Sequence, residues 1–152
     1  MKLSFSTNGW NVSFSEIVSL LKENKIEGLE IHNPAAEGFL SERPFDKENL
    51  AKTRKTLFES GVAISCIDVT ANFAANEIGC ENDEGEIAKK AIEETENAIE
   101  LASALNSSFV RIHAYAENDE SYESFSAKLK KVLPPLVRKA EKKKVTLLVE
   151  SA

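Results

Sequence analysis

The residues with the widest chemical capacity fall at the ends of short β-type runs. Glu30 and His32 close the run "GLEIHN", Arg111 and His113 lie in "SFVRIHAY", and Glu150 closes "VTLLVE". A carboxylate or an imidazole in such a place can take up or deliver a proton, and a guanidinium can fix a carboxylate or an oxyanion. His32 and His113 each read either as a hydrogen-bonded strand-end residue or as a group that meets substrate. For His113 the second reading gains weight from the neighbouring run that ends in Glu150. Asp68 and Asn72, after the third run, lie at the same end; turn chemistry accounts for Asn72 equally well.

The elements that position these residues alternate along the chain. "KLSFSTNG" alternates as a strand does, and "SFSEIVSLLKENK" follows as a helix with Ser13 or Ser15 as cap and Ile17, Val18, Leu20 and Leu21 on one side. "GLEIHN" is a second strand. "DKENLAKTRKTLFESG" is a second helix, with Asp46 as cap, Leu50, Leu57 and Phe58 as core contacts and Gly61 as terminator. "VAISCIDVT" is a third strand, followed by a connection through Gly79 and Gly85 and a helix over "EIAKKAIEETENAIELASALN". "SFVRIHAY" is a fourth strand. A last helix, roughly Glu120 to Lys144, contains Pro134 and Pro135, which are expected to kink or split it, and "VTLLVE" is a fifth strand.

Strands alternating with helices imply parallel pairing through right-handed crossovers. An open, doubly wound sheet would be complete at 152 residues, whereas a (β/α)8 barrel of about 250 residues would be only about half present. The strand patterns favour the barrel. In four strands the apolar residues Leu3 and Phe5, Leu29 and Ile31, Val110 and Ile112, and Leu147 and Val149 share one side. That leaves Ser4 and Ser6, Glu30 and His32, Arg111 and His113, and Thr146, Leu148 and Glu150 on the other. Such a polar face suits a barrel interior and is costly beneath a layer of helices. The expected architecture is α/β, a parallel (βα)4β forming an incomplete TIM barrel, with residues 1–152 as one domain. Alternate strands then share a layer, so Glu30 and Arg111, matched in "EIH" and "RIH", are expected to form an interior ion pair. A buried pair serves the core as readily as a substrate. Two readings stand for Trp10, just past the first strand: a stacking wall for a sugar ring, or a lid on the barrel rim.

A net charge of −6 and a pI near 5.1 argue against a general nucleic-acid or anionic-membrane binder. Cys66 and Cys80 lack metal-site spacing and read as free thiols. No window approaches the ~18 apolar residues of a membrane span, and the expected location is cytoplasmic. No Gly-rich phosphate-binding turn is present, and "STNGW" lacks the acidic residues a receiver-like domain needs after its first strand.

"STNGW", "IEGLEIH", "SFVRIHA" and "LVRKAEKKKVTLLVES", in that order, make the whole chain resemble the xylose-isomerase-like TIM barrels. That group takes in sugar-phosphate isomerases and epimerases, inosose dehydratases, hydroxypyruvate isomerases, ketose 3-epimerases and endonuclease-IV-type nucleases. The resemblance implies a divalent cation (Mn, Mg, Co or Zn) held by carboxylate and histidine ligands after strands five to eight, with Glu150 matching the first of them. It also implies that Glu150 is half of an acid/base pair moving a proton beside a carbonyl, through an ene-diolate. His113 matches a position that often contacts substrate, and Trp10, His32, Asp68 and Arg111 complete the expected substrate-binding set. Strands six to eight and three of the four ligands have no counterpart here. The chain alone is therefore expected to hold no tight metal and to lack activity.

The leading expectation is the N-terminal part of a metal-dependent sugar or sugar-phosphate isomerase or epimerase, acting on a small molecule and binding no nucleic acid or membrane. A non-catalytic half-barrel that pairs with itself or with a C-terminal half is a second reading, since exposed edge strands favour association. An endonuclease-IV-type fragment is a third; two histidines and an acidic balance weigh against it.

Overall fold

The computed structural model describes residues 3–9, 12–32, 34, 47–72, 83–115 and 121–150. Its elements are β1 (Ser4–Ser6), α1 (Phe14–Glu23), β2 (Gly28–His32), α2 (Lys47–Ser60), β3 (Ala63–Asn72), α3 (Asp83–Ala104), β4 (Phe109–His113), α4 (Tyr122–Lys142) and β5 (Thr146–Glu150). All four strand pairings are parallel and run in chain order, β1-β2-β3-β4-β5. A doubly wound sheet reverses its strand order at a switch point. Strictly sequential order with a helix after each of the first four strands is the (βα)4β arrangement of a partial TIM barrel.

Local signals set most of the boundaries. Ser13 rather than Ser15 caps α1: its hydroxyl accepts from the Glu16 amide, and the Glu16 carboxylate accepts from the Ser13 amide at 2.8 Å, closing a capping box. Gly61 ends α2 at φ +73°, where a side chain would be strained. Asp46, expected to cap that helix, and Cys80 lie outside the described residues. Helix α3 begins at Asp83, so Gly85 lies in its first turn rather than in a connection. First-turn amides have no partner within the helix, which makes glycine tolerable there.

Two expectations are corrected. Helix α4 is one element running through Pro134 and Pro135, so the prolines do not split it. Both prolines and the residues four positions earlier, Lys130 and Lys131, are exposed, so the carbonyls that lose an amide partner face water. Phe58, expected as a core contact, is 89% exposed, and Leu20, placed on one helix side with Ile17, Val18 and Leu21, is 45% exposed. Each lies at the edge of a buried arc that Ile17, Val18 and Leu21, or Leu57, already fill.

The core occupies the outer face of the sheet. Leu29, Ile31, Ile64, Ile67, Val69, Val110 and Ile112 are buried there against Ile17, Leu21, Ala98, Ile99, Ala102, Leu136 and Ala140 of the helices. The inner face carries polar groups, among them a Ser4–Ser65 hydroxyl pair at 2.6 Å. On β5, Leu147 packs on the core while Leu148 and Val149 are 40% and 49% exposed.

Strand β3 departs from simple alternation. Leu29 pairs with Ile64 but Glu30 pairs with Cys66, so Ser65 is an extra residue; a second irregularity separates Val69 from Asn72 opposite Ile112 and His113. Such bulges re-aim the side chains that follow them. Between the two irregularities Ile67 and Val69 face the core, and Asp68 faces the interior with its neighbours His32 and Arg111.

Strands β1 and β2 approach closely at Gly28. A Cβ there would stand 2.9 Å from Ser4 Cβ and 3.2 Å from the Leu3 carbonyl oxygen. Gly28→Ala is therefore expected to destabilise the fold by about 1–3 kcal/mol, as overpacking does. Urea unfolding monitored by circular dichroism checks this; an unchanged midpoint would show that β1 moves aside freely.

Candidate active site

Parallel register places His32, Asp68 and Arg111 side by side across β2, β3 and β4, and His113 beside Glu150 across β4 and β5. Asp68 is at the centre and only 1% exposed. Its Oδ2 meets His32 Nδ1 at 2.6 Å and an Arg111 terminal nitrogen at 2.7 Å. Its Oδ1 meets Arg111 Nε at 3.0 Å and His113 Nε2 at 2.9 Å. Those four contacts match the roughly four acceptor positions of an ionised carboxylate.

Arg111 reaches further. The terminal nitrogen that serves Asp68 also lies 3.2 Å from Glu30 Oε1, so the ion pair expected from "EIH" and "RIH" is present. Arg111 Nε is also 3.2 Å from Glu150 Oε2. That nitrogen has one hydrogen, and it is directed to Asp68. Glu150 is thus held by charge, half exposed, with no hydrogen bond from Arg111.

Three further groups brace the cluster. Buried Thr7, just past β1, donates its amide to the Glu30 carbonyl at 3.0 Å, and its hydroxyl accepts from the His32 amide at 2.9 Å. The Tyr115 hydroxyl lies 2.7 Å from His113 Nδ1. Buried Cys66 stands opposite Glu30 in the register. The spacing of residues gave no warning of Thr7 or Tyr115, although Thr7 belongs to "STNGW" and Tyr115 follows His113 by two positions.

The electrostatics follow from burial and partners. Burial is the largest influence on Asp68 and favours its neutral form, but hydrogen bonds from Arg111, His32 and His113 together outweigh it and hold the carboxyl below its ordinary range. Arg111, hydrogen-bonded to Asp68 and near Glu30 and Glu150, is driven further toward its charged form despite partial burial. Burial, then the charge of Glu30, pushes the Cys66 thiol up to about 11.

The structure thus gathers His32, Asp68, Arg111, His113 and Glu150 from the expected set. Trp10 lies outside the described residues; Asn72 and Asp68 fall within β3 rather than after it. Glu150 is a hard oxygen donor suited to a divalent cation. Among the described residues, no three His, Cys, Asp or Glu side chains are gathered to hold one. No described helix is long and apolar enough to cross a membrane.

A family model described as the xylose isomerase-like TIM barrel matches residues 18–152. The chain belongs to the xylose isomerase-like TIM barrel family. Solved structures of similar fold include the IolI protein with a bound zinc atom, at 17% identity and a TM-score of 0.74, covering 100% of this chain and 52% of that one. The 3-keto-D-glucoside 4-epimerase YcjR from E. coli gives 13% identity and a TM-score of 0.73 over 98% of this chain and 55% of its own. A D-tagatose 3-epimerase-like protein gives 18% and 0.71 over 98% and 52%. The chain spans about half the length of these structures. No curated protein matches the sequence. At such identities the likeness establishes the xylose isomerase-like fold, with sugar epimerases among the proteins that share it.

Two measurements follow from the cluster. Because Asp68 is depressed when folded, its contribution is complete above its unfolded value of about 3.9 and is lost as pH falls through the folded value. Urea midpoints measured downward from about pH 4 should therefore fall more steeply for the wild type than for Asp68→Asn, which should cost about 3 kcal/mol at neutral pH. Parallel pH profiles would contradict this. The buried Cys66 thiol, protonated up to about 11, should resist iodoacetamide at neutral pH until denaturant is added; peptide mass mapping reports that residue separately from Cys80.

Proposed function

We propose that this chain is the N-terminal part of a sugar isomerase or epimerase, folded as one domain, that moves a proton beside a carbonyl through an ene-diolate. The observation that carries the reading is the contrast around Arg111. Asp68 is sealed and fully hydrogen-bonded, whereas Glu150, at the C-terminal end of β5, meets Arg111 by charge without a hydrogen bond from it. A carboxylate at that strand end that takes no hydrogen bond from Arg111 can accept a proton from carbon and return it. His32, His113 and Arg111 surround the same space and would orient the hydroxyls of the substrate, with Asp68 acting through them.

Charge favours an unphosphorylated sugar at this end of the sheet. Glu30, Asp68 and Glu150 set three negative charges against the one of Arg111, a balance of −2 with neutral histidines. Until a cation is bound, a phosphate would meet net repulsion there; a polyol or a cation would not. A divalent cation would take Glu150 as one ligand and supply positive charge to the substrate's carbonyl and hydroxyl oxygens. Its other ligands would come from outside the described residues.

Exposed Leu3 at 58% beside β1, and Leu148 and Val149 on β5, support a second reading in which the chain pairs with itself or with a C-terminal half as a non-catalytic half-barrel. The two readings part on one experiment. The chain alone, with Mn or Mg and a panel of ketohexoses and their phosphates in deuterated water, should show no exchange at carbon. When the remainder of the barrel is supplied, activity on free sugars should appear, and Glu150→Gln should lower kcat at least about 100-fold with little change in KM. Exchange by the chain alone, or full activity of the variant, overturns the proposal. A stable inactive homodimer in native mass spectra, unchanged by the second half, favours the pairing reading.

A further inference from the structure

The donors around Asp68 determine more than its charge. An ionised carboxylate can only accept hydrogen bonds, so the hydrogen in each of its contacts belongs to the partner. Arg111 supplies two from the guanidinium, and the other two come from imidazoles, through different ring nitrogens: Nδ1 of His32 at 2.6 Å and Nε2 of His113 at 2.9 Å. In a neutral imidazole one nitrogen carries the hydrogen and the other is a bare acceptor. We infer that Asp68 locks the two histidines in opposite tautomers, Nδ1–H for His32 and Nε2–H for His113.

Each tautomer has a chemical consequence. His32 is left with a bare Nε2 on a partly exposed ring. That nitrogen can accept a hydrogen bond or a proton from a hydroxyl, and it repels the oxygens of a phosphate or carboxylate. His113 is left with a bare Nδ1, so the Tyr115 hydroxyl 2.7 Å away must be the donor. Its phenolic oxygen then keeps its lone pairs for other partners. Asp68 is thus a positioning residue that acts on two other side chains at once, much as outer carboxylates fix the tautomer of ligating or catalytic histidines elsewhere. Arg111 makes this possible by keeping Asp68 ionised despite its burial. The backbone supports the same geometry: the His32 amide is anchored on the Thr7 hydroxyl at 2.9 Å, which fixes the ring's point of attachment. Use of His32 Nε2 toward a sugar hydroxyl rests on the isomerase reading; the tautomers themselves do not.

Both tautomers can be read in the 152-residue chain without any activity. It contains two histidines, so long-range 1H–15N correlation spectra of the labelled protein, recorded at rising pH until the ring signals stop changing, give two neutral-ring patterns. His32→Gln and His113→Gln assign them. The expected result is a bare Nε2 for His32 and a bare Nδ1 for His113; the same tautomer in both, or the reverse pair, overturns the inference. Asp68→Asn, where it folds, should turn at least one ring into a mixture, and unchanged rings would overturn it. Tyr115→Phe, which removes one half-buried hydroxyl and leaves Asp68 in place, should leave His113 as Nε2–H. A switch of His113 in that variant would mean that Tyr115 sets the tautomer and would sink the assignment to Asp68. Correct tautomers in a protein that shows no sugar exchange with its second half present would remove the isomerase reading and leave this one standing.

Discussion

Two nearly parallel hydrogen bonds join Arg111 to Asp68, at 3.0 and 2.7 Å, in a place where the carboxylate is almost sealed from water. An unpaired carboxylate so placed would cost several kcal/mol or take up a proton. The planar guanidinium offers a fork that matches both carboxylate oxygens, which an ammonium could not do. With Asp68 held ionised, His32 and His113 each gain an acceptor, and Glu30 and Glu150 each gain a countercharge through Arg111. Remove the fork and each of those contacts loses the charge that justifies it.

The pair depends on where the backbone delivers Asp68, and there the sequence was hardest to read. Strands β2 and β4 alternate cleanly, so the inner placement of Glu30, His32, Arg111 and His113, and the Glu30–Arg111 contact, could be read from parity alone. In "AISCIDV" the core residues Ile64 and Ile67 are three apart rather than two, because Ser65 is an extra residue in the ladder. A period of two fails across that point, and Asp68 loses its visible membership of the polar face. Nothing in residue type announces the bulge, since Ser65 is compatible with an ordinary strand. The helices were legible for the opposite reason: capping residues and apolar arcs act locally, as at Ser13 and Gly61. Residue type alone leaves open whether the prolines of α4 split it, because their cost depends on whether the bereaved carbonyls meet water, which is a tertiary property.

The two faces of the sheet divide the work. Alternate residues Leu29, Ile31, Ile67, Val69, Val110 and Ile112 bury themselves against the helices and supply the hydrophobic stabilisation. Their neighbours are then free to be polar, provided that each buried group finds a partner. Thr7 shows how far this goes: it is fully buried, and both its amide and its hydroxyl bond to β2. The inner face is consequently buried and hydrogen-bonded around Asp68 and more exposed toward β5.

That gradient separates the two carboxylates that share Arg111 Nε. Asp68 takes its single hydrogen, and Glu150, at 3.2 Å from the same nitrogen and 48% exposed, receives only its field. A group bound by field alone can rotate toward another partner at little cost, because no directional bond is broken. A group with all its acceptor positions filled cannot, since a proton on Asp68 would displace a donor from Arg111 or from a histidine. A difference of this kind in partners and exposure separates a residue free to exchange protons from one that holds the geometry. On the proposed isomerase reading, the orienting role would fall to Asp68 and the proton-transferring role to Glu150, although both lean on one guanidinium.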